Sequence, residues 1–178
     1  QTKKFHAALQ AFAKPSPGRL KIFSINVETF SNSTSLGTRV TKYLLKHYAC
    51  MMTLDESDTI KSPSAKRTRV LWNLGAFAQY RRVLTGTPIT QSPFNAYAQF
   101  KFLSPQLLGF KLYAAFKNYY AIWKDVPLKT KGPGGITRTF PKIVRYRNLD
   151  HLKRNIDRHS FTVRKADCLD LPEKVYQE

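Results

Sequence analysis

The stretch "YACMMTLDESD", Tyr48 to Asp58, decides how this chain is read. Its first seven residues, "YACMMTL", are a nearly continuous apolar run of strand length. A central parallel strand buried on both faces reads that way. Two adjacent carboxylates, Asp55 and Glu56, follow at once, and Asp58 adds a third. The chain holds only 11 Asp and Glu, so this crowding at a strand end asks for a reason. In open parallel sheets, ligands bind beyond the carboxyl ends of the strands. A solvated strand end explains "DE" equally well when it is taken alone.

The residues that follow supply the context. "KSPSAKRTRVLWNLGAFAQ", Lys61 to Gln79, carries Ser62 as an N-cap and Pro63 at the first helical position. Val70, Leu71, Leu74 and Phe77 then make an apolar stripe. "YRRVL", Tyr80 to Leu84, reads as the next strand. Strand, helix and strand joined by short links predict a right-handed parallel crossover, hence an α/β fold. "LTGTPITQSP", Leu84 to Pro93, ends that second strand, so Thr85 and Thr87 bring hydroxyls to the edge where Asp55 and Glu56 stand. Gly86 permits close backbone approach or an unusual dihedral. An ordinary Gly-Pro turn is the plain alternative, but an acidic and a Thr-rich strand end side by side are harder to dismiss.

Elsewhere, Lys3 to Ala13 reads as a short helix and "LKIFSINV", Leu20 to Val27, as a strand. Thr38 to Tyr48, Asn95 to Phe102, Leu112 to Ile122 and Asn148 to Arg158 have helical patterning. Lys124 to Pro141 has the Gly, Pro and Lys content of an exposed loop, and the residues from Ser160 onward read as a strand and an extended exit. The aromatics from Phe94 to Trp123 are either a base-stacking surface or a helical core, and their i, i+3 and i+4 spacing favours the core.

Composition narrows the partner. Lys and Arg number 30, for a formal net charge of +19 on 178 residues, with basic residues spread along the whole chain. That exceeds what solubility asks for and points to a polyanion, nucleic acid first. Hydrophobic content of 42% supports a packed core. The two cysteines, Cys50 and Cys168, and the four histidines form no metal-ligand or disulfide pattern, which fits a reducing compartment. No apolar run reaches membrane-spanning length.

The quoted motifs resemble the first motor lobe of the Swi/Snf-type, helicase-like ATPases of superfamily two, most of all the compact versions carried by bacteriophages and prophages. "DESD" is similar to the family's Asp-Glu box, "IKSPSAKRT" to the basic run after it, and "LTGTP" to its third helicase motif. "FKFLSP" and "RKADCLDLPEKVY" match the segments that follow, in order, over Leu20 to Glu178. The resemblance implies a partial RecA-like lobe, its parallel sheet sandwiched by helices. Residues 1–91 would be sheet core, 92–160 a helical and loop insertion, and 161–178 the exit toward a second lobe. It implies ATP and magnesium as cofactors. Asp55 would hold Mg-ATP through water, and Glu56 would polarise the attacking water. Thr85, Gly86 and Thr87 would couple nucleotide state to a DNA track, in the family a duplex followed along its backbone. Lys61, Lys66, Arg67 and Arg69 could face that backbone or be a solvated helix face, and Arg164 and Lys165 stand near the lobe junction. A bacterial or phage-infected cytoplasm is the expected location.

Two departures qualify the resemblance. Asp58 stands where many relatives have His. No Gly-x-Gly-Lys-Thr or Gly-Lys-Ser loop occurs in these residues, and the family's cradle would lie before Gln1 and its arginine finger after Glu178. Phosphoryl transfer depends on both, so this polypeptide alone is expected to be a poor ATPase. The alternative is a non-catalytic nucleic-acid-binding protein derived from a split or degenerate motor.

Overall fold

The structure is a computed structural model that describes residues 3–89, 91–131 and 137–163. Helix α1 spans Lys3–Ala13. Residues 20–26 form no helix or strand, and although their exposure alternates as on a strand, no strand among the described residues pairs with them. Leu20 and Ile22 are therefore left in solvent, while Ile25 and Val27 pack inward. The expected strand at Leu20 to Val27 is thus not formed among the described residues, and only its alternation of exposure is present. The segment gives way to a 3-10 turn, Val27–Ser31.

Helix α2, Leu36–His47, starts at Ser35, whose hydroxyl oxygen accepts from the Thr38 amide at 3.2 Å. That removes one orphan donor of the first turn. Val40, Leu44 and Leu45 face the core, while Lys46 and His47 suit the negative end of the helix dipole. Strand β1, Met51–Leu54, follows. After a 3-10 turn at Ser57–Ile60 comes α3, Lys66–Gly75, and then β2, Tyr80–Val83. β1 and β2 pair in parallel, Met51 opposite Tyr80 and Leu54 opposite Val83. The strand-helix-strand unit is present as expected.

Two details differ. β1 is buried on one face only. Met52 and Leu54 enter a core with Phe30, Leu45, Ile60, Leu71, Leu74 and Phe102, while Met51 and Thr53 on the opposite face are exposed. Among the described residues the sheet has two strands, and helices cover one of its faces. Helix α3 begins at Lys66 rather than Pro63, because residues 62–65 form a turn in which the Ala65 amide donates to the Ser62 carbonyl at 3.2 Å.

Helices α4, Asn95–Leu103, and α5, Tyr113–Tyr120, build a second core. Phe94, Tyr97, Phe100, Phe116 and Tyr120 are buried there with Leu152 and Ile156 of α6, Leu149–Asp157. The aromatic cluster is a core, as its spacing indicated. Of the expected loop at Lys124 to Pro141, residues 132–136 lie outside the described residues, and the rest is strand in an antiparallel pair, β3 Ala121–Lys131 and β4 Thr137–Tyr146. Ile122, expected at a helix end, lies in β3. Pro127 and Pro141 misdirect the reading. A two-stranded ribbon has only edge strands, where a residue without an N–H is tolerated. Trp123 and Ile143 pack this ribbon against the second core.

Candidate functional site: two strand ends joined by a buried glutamine

The parallel register sets the site. The Leu84 amide donates to the Leu54 carbonyl at 2.8 Å, and the Ser57 amide returns to the Leu84 carbonyl at 2.9 Å. These bonds hold the segment after β1 against the segment after β2. Asp55 and Glu56 therefore emerge beside Thr85, Gly86 and Thr87, at the carboxyl edge of the sheet.

Between the two bonded leucines and Ser57 the chain makes a sharp turn. Glu56 takes φ 45° and ψ 58°, the left-handed region, one of two non-glycine residues with positive φ among those described. Such a conformation costs about 1–3 kcal/mol in a residue with a side chain and collects at functional sites. The Glu56 amide donates to Asp55 Oδ1 at 3.0 Å. Both carboxylates are exposed. Opposite them, Thr85 Oγ1 accepts from the Thr87 amide at 3.1 Å, which shapes the loop. Gly86 has no positive φ, and a Cβ built on it would meet nothing within 4 Å. Of the two possibilities glycine permits at this position, a positive φ is not taken up. The other, close approach to the backbone, is compatible with the open space around it.

Asp55 and Glu56 fit magnesium bound through its water shell. They are hard oxygen donors, exposed, and Asp55 Oδ2 has no protein partner among the described residues. No group of three or more His, Cys, Asp or Glu side chains forms a closed metal cage among those residues. Magnesium bound by one or two carboxylates and phosphate oxygens needs no such cage.

The basic residues separate into different situations. Lys66 and Arg69 are exposed in the first turn of α3. That turn has no acidic residue, so their charge opposes the helix dipole. Arg67 is held back: its guanidinium meets Glu28 at 3.6 Å, and its Nε donates to Ser31 Oγ at 3.3 Å. Lys61 lines a shallow open cleft of about 360 Å³ with Ser62, Ser64, Asn95 and Tyr113. Arg164 and Lys165 lie outside the described residues, as does the "RKADCLDLPEKVY" segment.

Gln99 was not singled out from the sequence. It is 1% exposed on α4. Its Oε1 accepts from Ser57 Oγ at 2.7 Å, and its Nε2 donates to the carbonyls of Pro88 at 2.7 Å and Asn95 at 3.2 Å. The available signal was one amide inside "NAYAQFKFL", an otherwise largely apolar helix. Beside it, Trp72 Nε1 donates to the Ala98 carbonyl at 2.9 Å, which ties α3 to α4.

The acidic and the Thr-Gly-Thr strand ends thus stand side by side on a mixed α/β frame. The family model for the SNF2-related domain matches residues 10–176, and the chain belongs to that family. Two curated relatives, both named chromatin-remodeling ATPase INO80, come from two strains of Cryptococcus neoformans var. neoformans serotype D. Each is 33% identical over 126 residues, which is 66% of this chain and 7% or 6% of the relative. The chain thus spans a small part of their length. No solved structure matches.

These relatives correct two expectations. They are fungal, and nothing in them supports the phage or prophage type. Their name places them on chromatin, which overturns the expected bacterial or phage-infected cytoplasm. No helix among the described residues is long and apolar enough to cross a membrane.

Proposed function

We propose that the chain is the latter part of the first, RecA-like lobe of a Swi/Snf-type motor that uses ATP hydrolysis to move along duplex DNA. The observation that carries this reading is the parallel pairing of Leu54 with Val83, extended by the bond from the Leu84 amide to the Leu54 carbonyl, which sets Asp55 and Glu56 beside Thr85 to Thr87. Passive binding of nucleic acid gives no reason for a strained, exposed Glu56 at that place.

In this reading Asp55 holds the metal's water shell and Glu56 orients the attacking water. A magnesium ion held there would supply charge neutralisation for the nucleotide's phosphates. Thr85 and Thr87 sense the nucleotide edge, and Gly86 leaves room for it. Residues 1–91 form the sheet core, 92–160 an insertion, and 161–178 the passage to a second lobe. The phosphate cradle and arginine finger come from elsewhere in the whole protein, since no Gly-x-Gly-Lys-Thr loop occurs in this chain. Lys61, Lys66, Arg67, Arg69, Arg164 and Lys165 supply backbone contacts to DNA. Lys66 and Arg69 are the leading pair because phosphate would offset the charge they place on a helix N-terminus. Arg67 must first leave Glu28.

The test is ATP turnover by the whole protein with and without duplex DNA, for the wild type and Glu56→Gln. The expected result is DNA-stimulated turnover in the wild type, and retained ATP binding with turnover lost in the variant. DNA binding should weaken steeply with salt and vary little with sequence. Normal turnover in Glu56→Gln refutes the assignment. Salt-sensitive DNA binding with no turnover in the wild type favours a non-catalytic binder.

A further inference from the structure

We propose that Gln99 is a positioning residue that transmits movement between the Asp-Glu turn and the Thr-Gly-Thr-Pro loop. The inference rests on the motor reading above and extends it to a residue outside the quoted motifs.

The geometry leaves Gln99 little freedom. Its amide is buried, and burial of an unpaired amide is unfavourable, so each polar atom must find a partner. Each does. The carbonyl oxygen faces a hydroxyl, Ser57 Oγ, and the nitrogen faces two carbonyls, those of Pro88 and Asn95. A flipped amide would set its oxygen against two other oxygens, so the partners themselves define the orientation. A leucine or methionine fills similar space without these obligations. The amide adds direction to the packing.

The three partners belong to three parts of the site. Ser57 follows Glu56 directly and is itself fully buried. Pro88 closes the loop that carries Thr85, Gly86 and Thr87. Asn95 opens α4, whose Phe100 and Phe102 enter the two separate cores. The strained Glu56 turn cannot shift far without moving Ser57 Oγ. That hydroxyl cannot move without breaking its bond to Gln99 or carrying the Pro88 carbonyl with it. The backbone bonds between Ser57, Leu84 and Leu54 join the near ends of the two loops. Gln99 joins the far end of the second loop, and it does so through a helix that both cores hold.

The experiment uses the whole protein and measures ATP turnover with and without saturating duplex DNA, KM for ATP, and thermal unfolding. The variants are Gln99→Met, which conserves volume and removes every bond, and Ser57→Ala and Ser57→Thr, which remove and keep the hydroxyl. The expected result is a fall of about tenfold in the ratio of DNA-stimulated to DNA-free turnover in Gln99→Met and Ser57→Ala. KM for ATP should stay within about twofold, and Ser57→Thr should keep the wild-type ratio. The double variant should lose no more than either single one, as expected of two groups acting through one contact. An unchanged ratio in Ser57→Ala overturns the proposal. So does a fall in both turnover rates in proportion to lost folded protein, which marks Gln99 as packing alone. A wild type whose turnover ignores DNA removes the motor reading and the proposal together.

Discussion

Lys124 and Lys142 stand directly opposite each other across the β3–β4 ribbon, both exposed. Like charges in that relation repel, and a favourable cross-strand pair contributes roughly 0.2–1 kcal/mol. Lys142→Glu converts the repulsion into attraction. The expected outcome is a stability gain of that order, read as a higher denaturant midpoint and slower amide exchange in the hairpin. Unchanged exchange at Trp123 and Ile143 would show that the register does not persist in solution.

Glu56 holds a left-handed backbone that asparagine tolerates better. Glu56→Asn should leave the fold as stable as before or more so, by up to about 1 kcal/mol, while removing the carboxylate. Chemical denaturation checks this. A loss of 1 kcal/mol or more would mean that the turn depends on the glutamate side chain and is not strained.

Gly75 ends α3 against Phe102. A Cβ there would lie 2.9 Å from Phe102 Cε2 and 3.3 Å from Arg81 Cδ. The Phe102 ring is fully buried and has nowhere to retreat. Alanine brings up to about 1 kcal/mol of helix propensity over glycine, but overpacking costs about 1–3 kcal/mol. Gly75→Ala should destabilise the chain by about 1 kcal/mol, and its penalty should be smaller when measured in a Phe102→Leu background. A more stable Gly75→Ala would refute the packing at this contact.

Burial, with a smaller contribution from neighbouring Tyr119, pushes the Tyr120 phenol up to about 12. Its hydroxyl hydrogen-bonds His151 Nδ1 at 2.8 Å. In the unfolded chain the phenol ionises near its usual value of about 10. Above that pH the unfolded state therefore binds fewer protons than the folded one, and stability falls as pH rises. The contribution is intact below pH 10 and is lost between about 10 and 12. Tyr120→Phe removes the titrating group, so its denaturant midpoint should fall less than the wild type's over that range. Parallel curves for the two proteins would refute the shift.

Several features were legible because they depend on neighbours in the chain. Helix α1 and the α2, α4 and α6 segments follow from 3.6-residue patterning, and the β1–α3–β2 unit follows from a short apolar run, a stripe and a second run. The strand ends at Asp55 and Thr85 were placed together by that logic. The 20–27 segment was misread because its alternation is real while its pairing partner is a matter of three-dimensional surroundings. The strands on either side of residues 132–136 were not expected because Pro and Lys report a loop locally, yet two edge strands accommodate prolines.

The sequence by itself determined the family, the acidic and Thr-rich motifs, the positive charge and the helical patterning, since each is written in residue identity and short spacing. Only the tertiary structure decided that β1 is covered on one face, that Glu56 sits in a left-handed turn, that Arg67 is engaged by Glu28, and that Gln99 bridges Ser57 and Pro88. Each of these last depends on atoms brought together by folding. Ser57 and Gln99 lie 42 residues apart, a separation that no local pattern encodes, and their hydrogen bond exists because two cores hold α4 against the turn.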